Sequence, residues 1–208
     1  MDAEDPAPPG LRERKKQRTR LALSWAAIRL SVERGYANVR VEDIADEVGV
    51  SARTFSNYFA SKGEAIAARQ LDRARLIADE LRARPASEPL WTAIRNAARA
   101  RIALDRPTDG QATPDDQWIA GVRLMLTEPA LQAEMFRISA AAHDALAAAV
   151  ADRVGVDPED LYPQLVAGSV GAAMQAAMRR WLRADPPGPF APLLDDAIGR
   201  LPAGLPPP

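Results

Sequence analysis

The polar side chains whose types and spacing could do chemistry are concentrated just past position 50. Arg53, Thr54, Ser56, Asn57 and Tyr58 bring several hydrogen-bond donors and acceptors into a few consecutive positions. Groups of this kind contact the base edges and phosphates of DNA. The sequence offers no nucleophile beside a base and no phosphate-cradling glycine loop, which are signatures of common enzyme classes. The pattern therefore favours nucleic-acid binding over catalysis.

The composition leaves little room for metal or thiol chemistry. The 208 residues include no cysteine and a single histidine, His143. Disulfide scaffolds, zinc fingers and thiol catalysis are therefore excluded. A lone histidine needs carboxylate partners to hold a metal, and the sequence arranges none around it, so we expect His143 to be solvated or at a core edge. We expect neither a metal nor a cofactor.

A short helix precedes these polar residues. Val41, Ile44, Ala45 and Val48 follow the i, i+3, i+4, i+7 spacing of one amphipathic helix. Gly49 then supplies a residue that can take positive φ and end the helix.

A second helix should begin directly afterwards and carry the polar residues. Ser51 is placed to cap it, and Val50 and Phe55 have the spacing of a hydrophobic staple. Two capped helices joined by a tight turn predict a helix-turn-helix whose second helix enters the DNA major groove.

The rest of the chain predicts an all-α protein of about nine helices. Ala, Leu and Arg dominate between capping signals, and β-branched runs are absent. We expect a disordered leader at 1–10, a DNA-binding head at 11–62, a larger helical domain at 63–203 and a disordered tail at 204–208. Ser61 and Glu64 form a predicted capping box that opens a long connecting helix.

Charge is distributed unevenly. Residues 11–62 carry 11 Lys and Arg against 6 Asp and Glu, whereas the rest of the chain carries 16 against 22. A basic head on an acidic body favours a polyanion partner, although a basic run can also be an ordinary solvated helix surface.

The chain carries no signal for a membrane or for export. Residues 161–178 lack charge but are rich in Ala and Gly, which makes a buried helix more favourable than a membrane span. The first ten residues lack the features of a secretory signal. We therefore expect a cytoplasmic protein with no membrane partner.

The segment ERGY (Glu33–Tyr36), followed by VEDIADEVGVSARTFSNYF and then SK, resembles the TetR/AcrR family of bacterial transcriptional regulators. The resemblance covers roughly residues 18–66. It implies a homodimer with one DNA-reading head per subunit, and an all-helical C-terminal domain that binds an effector. It further implies that effector binding releases a palindromic operator.

The resemblance also assigns roles to residues of the head. It implies that base and phosphate contacts are made by Ser51, Arg53, Thr54, Ser56, Asn57 and Tyr58. It implies a phosphate contact for Lys62 at the start of the fourth helix, where the helix dipole also favours an anion. On spacing alone, simple solvation of Thr54 and Ser56 is an equal alternative.

Two positions depart from the family pattern. Arg40 stands where the family has a Ser or Thr that caps the second helix and touches a phosphate. Because arginine cannot accept a capping bond, either Asn38 caps a shifted start or the helix frays, while the charge of Arg40 can still reach the DNA backbone. Ser31 stands where the family usually has an aromatic residue.

The C-terminal half resembles the family only loosely. Its runs LTEPALQAEMFR and AGSVGAAMQAAMRRWL resemble a subgroup that binds acyl-CoA-like ligands. Effector pockets are mostly apolar and lie between helices, which makes large apolar residues candidate lining, with ordinary core packing as the alternative. These candidates are Trp91, Trp118, Met125, Met135, Phe136, Met174 and Met178.

Small residues along the eighth helix indicate a close helix contact. They include Gly168, Gly171 and Ala172. The resemblance implies dimerisation through helices 8 and 9 as a four-helix bundle, and the alternative is that the small residues leave room for a ligand.

These observations together predict a dimeric repressor released by a small, largely apolar or acyl-CoA-like effector. The alternatives are a helical enzyme, for which no catalytic set is found, and a helical ligand-binding or interaction protein that has lost specific DNA binding.

Overall fold

A computed structural model describes residues 10–104, 116–184 and 188–205, with the backbone alone at 11, 13, 102–104 and 116–118. Within these ranges the chain forms nine α-helices and no strand, as the sequence predicts. The helices are α1 (Leu11–Arg34), α2 (Val41–Val48), α3 (Ala52–Ser56), α4 (Lys62–Ala83), α5 (Leu90–Leu104), α6 (Asp116–Thr127), α7 (Gln132–Val154), α8 (Leu161–Trp181) and α9 (Phe190–Gly199).

The chain divides into two compact units, and the division between Arg69 and Gln70 falls inside α4. The first unit holds α1, α2, α3 and the beginning of α4. Its core side chains are fully buried and include Leu23, Leu30, Ile44, Phe55 and Ile66. This core fixes the two short helices of the predicted helix-turn-helix.

A buried polar contact joins α1 to α4 within the first unit. The Ser24 hydroxyl donates to the carbonyl of Ala65 at 2.6 Å. Ser31, where the family pattern has an aromatic residue, is also buried, and its hydroxyl has no hydrogen-bond partner among the described residues.

The start of α2 differs from both expectations for it. Asn38 donates from its side-chain amide to the carbonyl of Arg34 at 2.8 Å, so it satisfies the end of α1 and does not cap α2. The helix does not fray either, because it is regular from Val41 with Arg40 at the N-cap position. The backbone N–H of Arg40 donates to the Asp43 carboxylate at 2.7 Å. Asp43 therefore supplies the N3 half of a capping box, by accepting the N-cap backbone N–H, while arginine cannot supply the other half.

The turn between α2 and α3 follows the prediction. Gly49 has φ of 72° in the left-handed region, where a Cβ would be strained. The Ser51 hydroxyl then accepts the backbone N–H of Thr54 at 3.1 Å and caps α3.

The second unit is built around a core to which α4, α5, α6, α7, α8 and α9 all contribute. Helices α7 and α8 form a hairpin that turns at Gly155, which has φ of 73°. Trp181 packs edge-to-face on Phe190 with ring centroids 5.8 Å apart, which closes α9 onto α8. The apolar side of α9 faces this core, since Phe190, Leu194 and Ile198 are buried.

Polar contacts secure the end of α4. The guanidinium of Arg153, in the last turn of α7, donates to the carbonyls of Pro85 and Glu88 at 2.6 Å each and of Arg84 at 3.3 Å. These carbonyls follow the helix, where no intrahelical donor is available. Arg84 in turn makes a two-pronged ion pair with Glu88, whose carboxylate also accepts the amide of Asn96 at 2.7 Å.

None of the helices in the described ranges combines the length and apolar character that spanning a bilayer requires.

Candidate nucleic-acid interface

Helix α3 is anchored by aromatic residues on one side and presents polar residues on the other. Phe55 is 1 % exposed, and its ring lies 5.8 Å from that of Phe59, which is equally buried. Because α3 is only five residues long, this anchor sets its orientation. The hydroxyls of Ser51 and Thr54 lie 2.9 Å apart at its start.

The outward side of α3 carries most of the predicted DNA-reading residues. Arg53, Ser56 and Asn57 are exposed, and Thr54 and Tyr58 are half-buried. The helix ends at Ser56, so Asn57 and Tyr58 follow it and do not lie on it. No described residue forms an ion pair or hydrogen bond with the guanidinium of Arg53. Its five N–H donors are therefore available to a partner outside the chain.

Ser56 is placed differently from Arg53. Its hydroxyl donates to the carbonyl of Ala52 within α3 at 3.1 Å. The oxygen keeps its lone pairs, so Ser56 can accept a hydrogen bond from a base but has already used its proton.

Arg40 occupies an exposed position at the N-terminus of α2. Its backbone is fixed by Asp43, whereas its guanidinium has no partner among the described residues. A cation beside a helix N-terminus, where N–H groups also point outward, can bind a phosphate.

Lys62 points in an unexpected direction. Its ammonium group donates to the carbonyls of Tyr36 and Val39 at 2.5 and 2.7 Å, and lies 4.2 Å from the centroid of the Tyr36 ring. Sequence reasoning did not predict this cradle. The contacts join positions 23 and 26 residues apart, and no local pattern signals them.

The predicted capping box at the start of α4 is present, except that Glu64 bonds the backbone of Ala60 and not that of Ser61. The Ser61 hydroxyl accepts the backbone N–H of Glu64 at 3.0 Å, and the Glu64 carboxylate accepts that of Ala60 at 2.6 Å. The pair fixes the chain direction just before Lys62.

Basic residues continue along the first half of α1. Arg12, Lys15, Lys16 and Arg18 are all exposed. The basic cluster therefore belongs to a helix of the same unit as α3, where it adds positive charge to the DNA-binding candidate.

The candidate ligand-lining residues of the second unit differ in how deeply they are buried. Trp91, Met174 and Met178 are partly buried and pack against its core. Met125 and Met135 are half-buried on α6 and α7. Two further candidates differ: Phe136 is 78 % exposed, and the side chain of Trp118 lies outside the described residues.

His143 sits at the core edge, as the sequence suggests. Its Nε2 lies 2.7 Å from the side-chain oxygen of Gln164 in a half-buried contact between α7 and α8. Across the described residues, no group of histidine and carboxylate side chains is placed to hold a metal ion.

The first unit is thus a helix-turn-helix with an aromatic anchor and an outward polar side, and the second unit is an all-helical domain. That architecture defines a DNA-binding protein of the helix-turn-helix class. Residues 25–68 match the model of bacterial regulatory proteins of the tetR family, and residues 88–206 match that of the MftR C-terminal domain. The chain belongs to the TetR family of transcriptional regulators, whose members bind DNA operators, typically act as dimers and are generally not enzymes.

Two relatives are similar over most of their length. One is the HTH-type transcriptional regulator TcmR of Streptomyces glaucescens, 39 % identical over 184 residues, which are 86 % of this chain and 80 % of that one. The other is a candidate mycofactocin biosynthesis transcriptional regulator, MftR, of Mycobacterium tuberculosis, 29 % identical over 82 % of this chain and 83 % of that one.

A solved structure has the same fold. The fatty acid degradation regulator FadR from Bacillus halodurans superposes with a TM-score of 0.57 at 16 % identity, covering 96 % of both chains. At that identity the similarity concerns the fold alone.

Proposed function

We propose that this regulator is a dimeric repressor that binds a palindromic operator and releases it when a small, largely apolar effector binds. The observation that carries the DNA part is the outward side of α3, where the exposed Arg53, which has no partner in the described part of the chain, lies opposite the buried Phe55.

The proposed division of labour follows from chemistry and exposure. Arg53 reads a guanine through a bidentate pair with O6 and N7. Arg40 binds a phosphate beside the α2 N-terminus. The remaining predicted residues contact neighbouring bases and phosphates, and they are Ser51, Thr54, Ser56, Asn57 and Tyr58. Lys62 differs from these residues, because its ammonium group already has protein partners.

The proposed dimer forms through the hairpin of α7 and α8. The outer side of α8 exposes Leu161 by 73 % and Leu165 by 58 %, and continues through the exposed Gly168 and Ala172. Phe136 adds an exposed aromatic ring on α7. Large exposed apolar residues beside small ones are typical of a helix-packing interface.

Helix α9 is less suited to this role than the sequence pattern suggests. Its large apolar residues are used inside the protomer, since Phe190, Leu194 and Ile198 are buried. The second helix of the proposed four-helix bundle is therefore α7, whereas the eighth helix keeps its expected part.

The proposed effector is small and largely apolar, with acyl-CoA-like molecules as the leading class. Trp91, Met174 and Met178 offer partly buried, adaptable apolar surface in the second unit.

The alternative is a helical ligand-binding protein that has lost specific DNA binding. It was suggested by arginine at the α2 cap position. That motive is removed because α2 is regular and Asp43 fixes its N-terminus.

Selection of bound sequences from a random DNA pool by the purified protein tests the proposal. Enrichment of an inverted repeat is expected, because two identical heads related by a two-fold axis read two identical half-sites. No enriched motif after repeated rounds would instead support the alternative.

A further inference from the structure

The ammonium group of Lys62 is held by the segment that joins α1 to α2. It donates to the Tyr36 carbonyl at 2.5 Å and to the Val39 carbonyl at 2.7 Å, and it lies over the Tyr36 ring. Hydrogen bonds from a charged donor are roughly twice as strong as neutral ones. The group is partly buried, which weakens the competition from water.

The segment that Lys62 holds leads directly into the proposed phosphate contact. Tyr36–Asn38 form a single 3-10 turn, Val39 is 1 % exposed, and the next residue is Arg40. The two bonded carbonyls therefore lie at the beginning and the end of the last turn before Arg40. Asn38 also ties this turn to the end of α1, from its backbone N–H to the Gly35 carbonyl at 3.1 Å and from its side chain to the Arg34 carbonyl at 2.8 Å. The amide of Val39 reaches the Tyr36 carbonyl at 3.4 Å.

A lysine that binds phosphate acts as a point charge whose donors face the anion. The Lys62 ammonium has three N–H donors, and two of them are directed at protein carbonyls. An ammonium group that keeps both carbonyl bonds and its place over the Tyr36 ring can direct at most one N–H elsewhere.

We propose that Lys62 is a positioning residue, which fixes the Tyr36–Val39 turn so that Arg40 and the start of α2 meet the DNA backbone, and that it contacts no phosphate itself. This inference rests on the proposed function at one point, the contact between Arg40 and DNA. The contacts of Lys62 with the Tyr36 and Val39 carbonyls, called the Lys62 clamp below, exist without DNA and can be tested in the free protein.

Hydrogen exchange in the free protein tests the clamp. Lys62→Ala is expected to speed exchange of the Val39 amide at least about tenfold, because the turn opens more often. The Val50 amide, which bonds to the Ala45 carbonyl at 2.9 Å, should be unchanged. Arg53→Ala is the matched control, since it removes a charge of the same head without touching the turn.

A double-mutant cycle on operator binding tests the route through Arg40. Lys62→Ala should weaken binding in the parent but change affinity less than about twofold in an Arg40→Ala background. The effects of Lys62→Ala and Arg53→Ala should multiply, because those residues act independently. Lys62→Arg should restore binding, since a guanidinium can also donate to two carbonyls and stack on Tyr36.

A direct phosphate contact gives the opposite results. Exchange at Val39 would be unchanged in Lys62→Ala, the salt slope of binding would fall by about one charge, and the loss would multiply with that of Arg40→Ala. If Lys62→Ala does not fold, Lys62→Met, which keeps the aliphatic chain without donors, decides between the models by the same readouts.

Failure of the proposed function would look different. If neither Arg40→Ala nor Arg53→Ala weakened operator binding, the DNA docking would be wrong, whereas the exchange of Val39 would still decide whether Lys62 clamps the turn.

Discussion

At the scale of single residues, different side chains of α3 pack in the core of the head and face outward toward the proposed DNA. Phe55 is buried, whereas Arg53, two positions earlier, is exposed, and its guanidinium has no partner among the described residues. A substitution at Arg53 should therefore change DNA recognition without loss of core packing.

Arg53→Ala is expected to relax preference at one base pair of each half-site. A bidentate pair with guanine is worth about 1–3 kcal/mol of discrimination. The measurement is equilibrium affinity for the operator and for each single-base variant of it. Arg75→Ala, which removes an exposed arginine of α4 in the second unit, should leave the profile unchanged. A uniform loss across all variants would mean that Arg53 contacts phosphate instead.

At the scale of elements, the sequence predicts helix stripes, turns and caps that depend on nearby residues. It does not predict which of several possible partners a polar side chain bonds. The stripe of α2, the positive φ of Gly49 and the Ser51 cap each depend on residues within about two helical turns of one another. The sequence pattern predicted either a cap by Asn38 or a frayed start of α2, and it did not indicate Asp43, because Asn38 instead donates to the Arg34 carbonyl at the end of α1.

Long-range contacts could not be predicted from spacing. The Lys62 cradle joins two segments that only the folded head brings together. The inward direction of α9 likewise depends on Trp181 and the core that it meets. Sequence patterns describe which face of a helix is apolar, but they do not say whether the same chain or a partner covers it.

The end of α4 gives a prediction about pH. The hydrogen bond from Arg84 lowers the pKa of Glu88 from its usual value of 4.5, and burial opposes this in part. The amide of Asn96 and the charges of Arg84 and Arg153 lower the pKa further. A carboxyl whose pKa is depressed by folding contributes stability that is complete above its unfolded pKa and is lost as pH falls through its folded pKa.

Glu88→Gln should therefore lower Tm most at neutral pH, and the difference from the parent should shrink as pH falls below about 4.5. The difference in Tm can be measured by thermal unfolding from about pH 3 to about pH 7, the range in which carboxyl groups titrate. Glu159→Gln, at an exposed carboxylate without a side-chain partner among the described residues, is the control and should shift Tm little at any pH. A difference that stayed constant with pH would show that the Glu88 charge does not stabilise the fold.

At the scale of the whole molecule, the exposed side of the α7–α8 hairpin is the proposed means of pairing two heads. Leu165 is 58 % exposed in the protomer, so changing it should spare the core. Leu165→Glu would bury an unpaired charge in the proposed interface, at a cost of about 3–5 kcal/mol.

That cost corresponds to a dimer dissociation constant raised on the order of a thousandfold. Sedimentation equilibrium should show a shift to monomer, with a parallel loss of operator affinity. Leu76→Glu, the same change at an exposed leucine of α4, should remain dimeric. A Leu165→Glu protein that dimerises like the parent would exclude this face.

The most direct test of the central claim, that the head reads DNA, is a titration of operator affinity against salt. Affinities for the selected operator and a scrambled sequence would be compared from about 50 to about 200 mM salt. We expect log K to fall linearly with log salt for both, with the operator bound about a thousandfold more tightly or better. Equal affinity for the two sequences, or binding that does not respond to salt, would contradict the account.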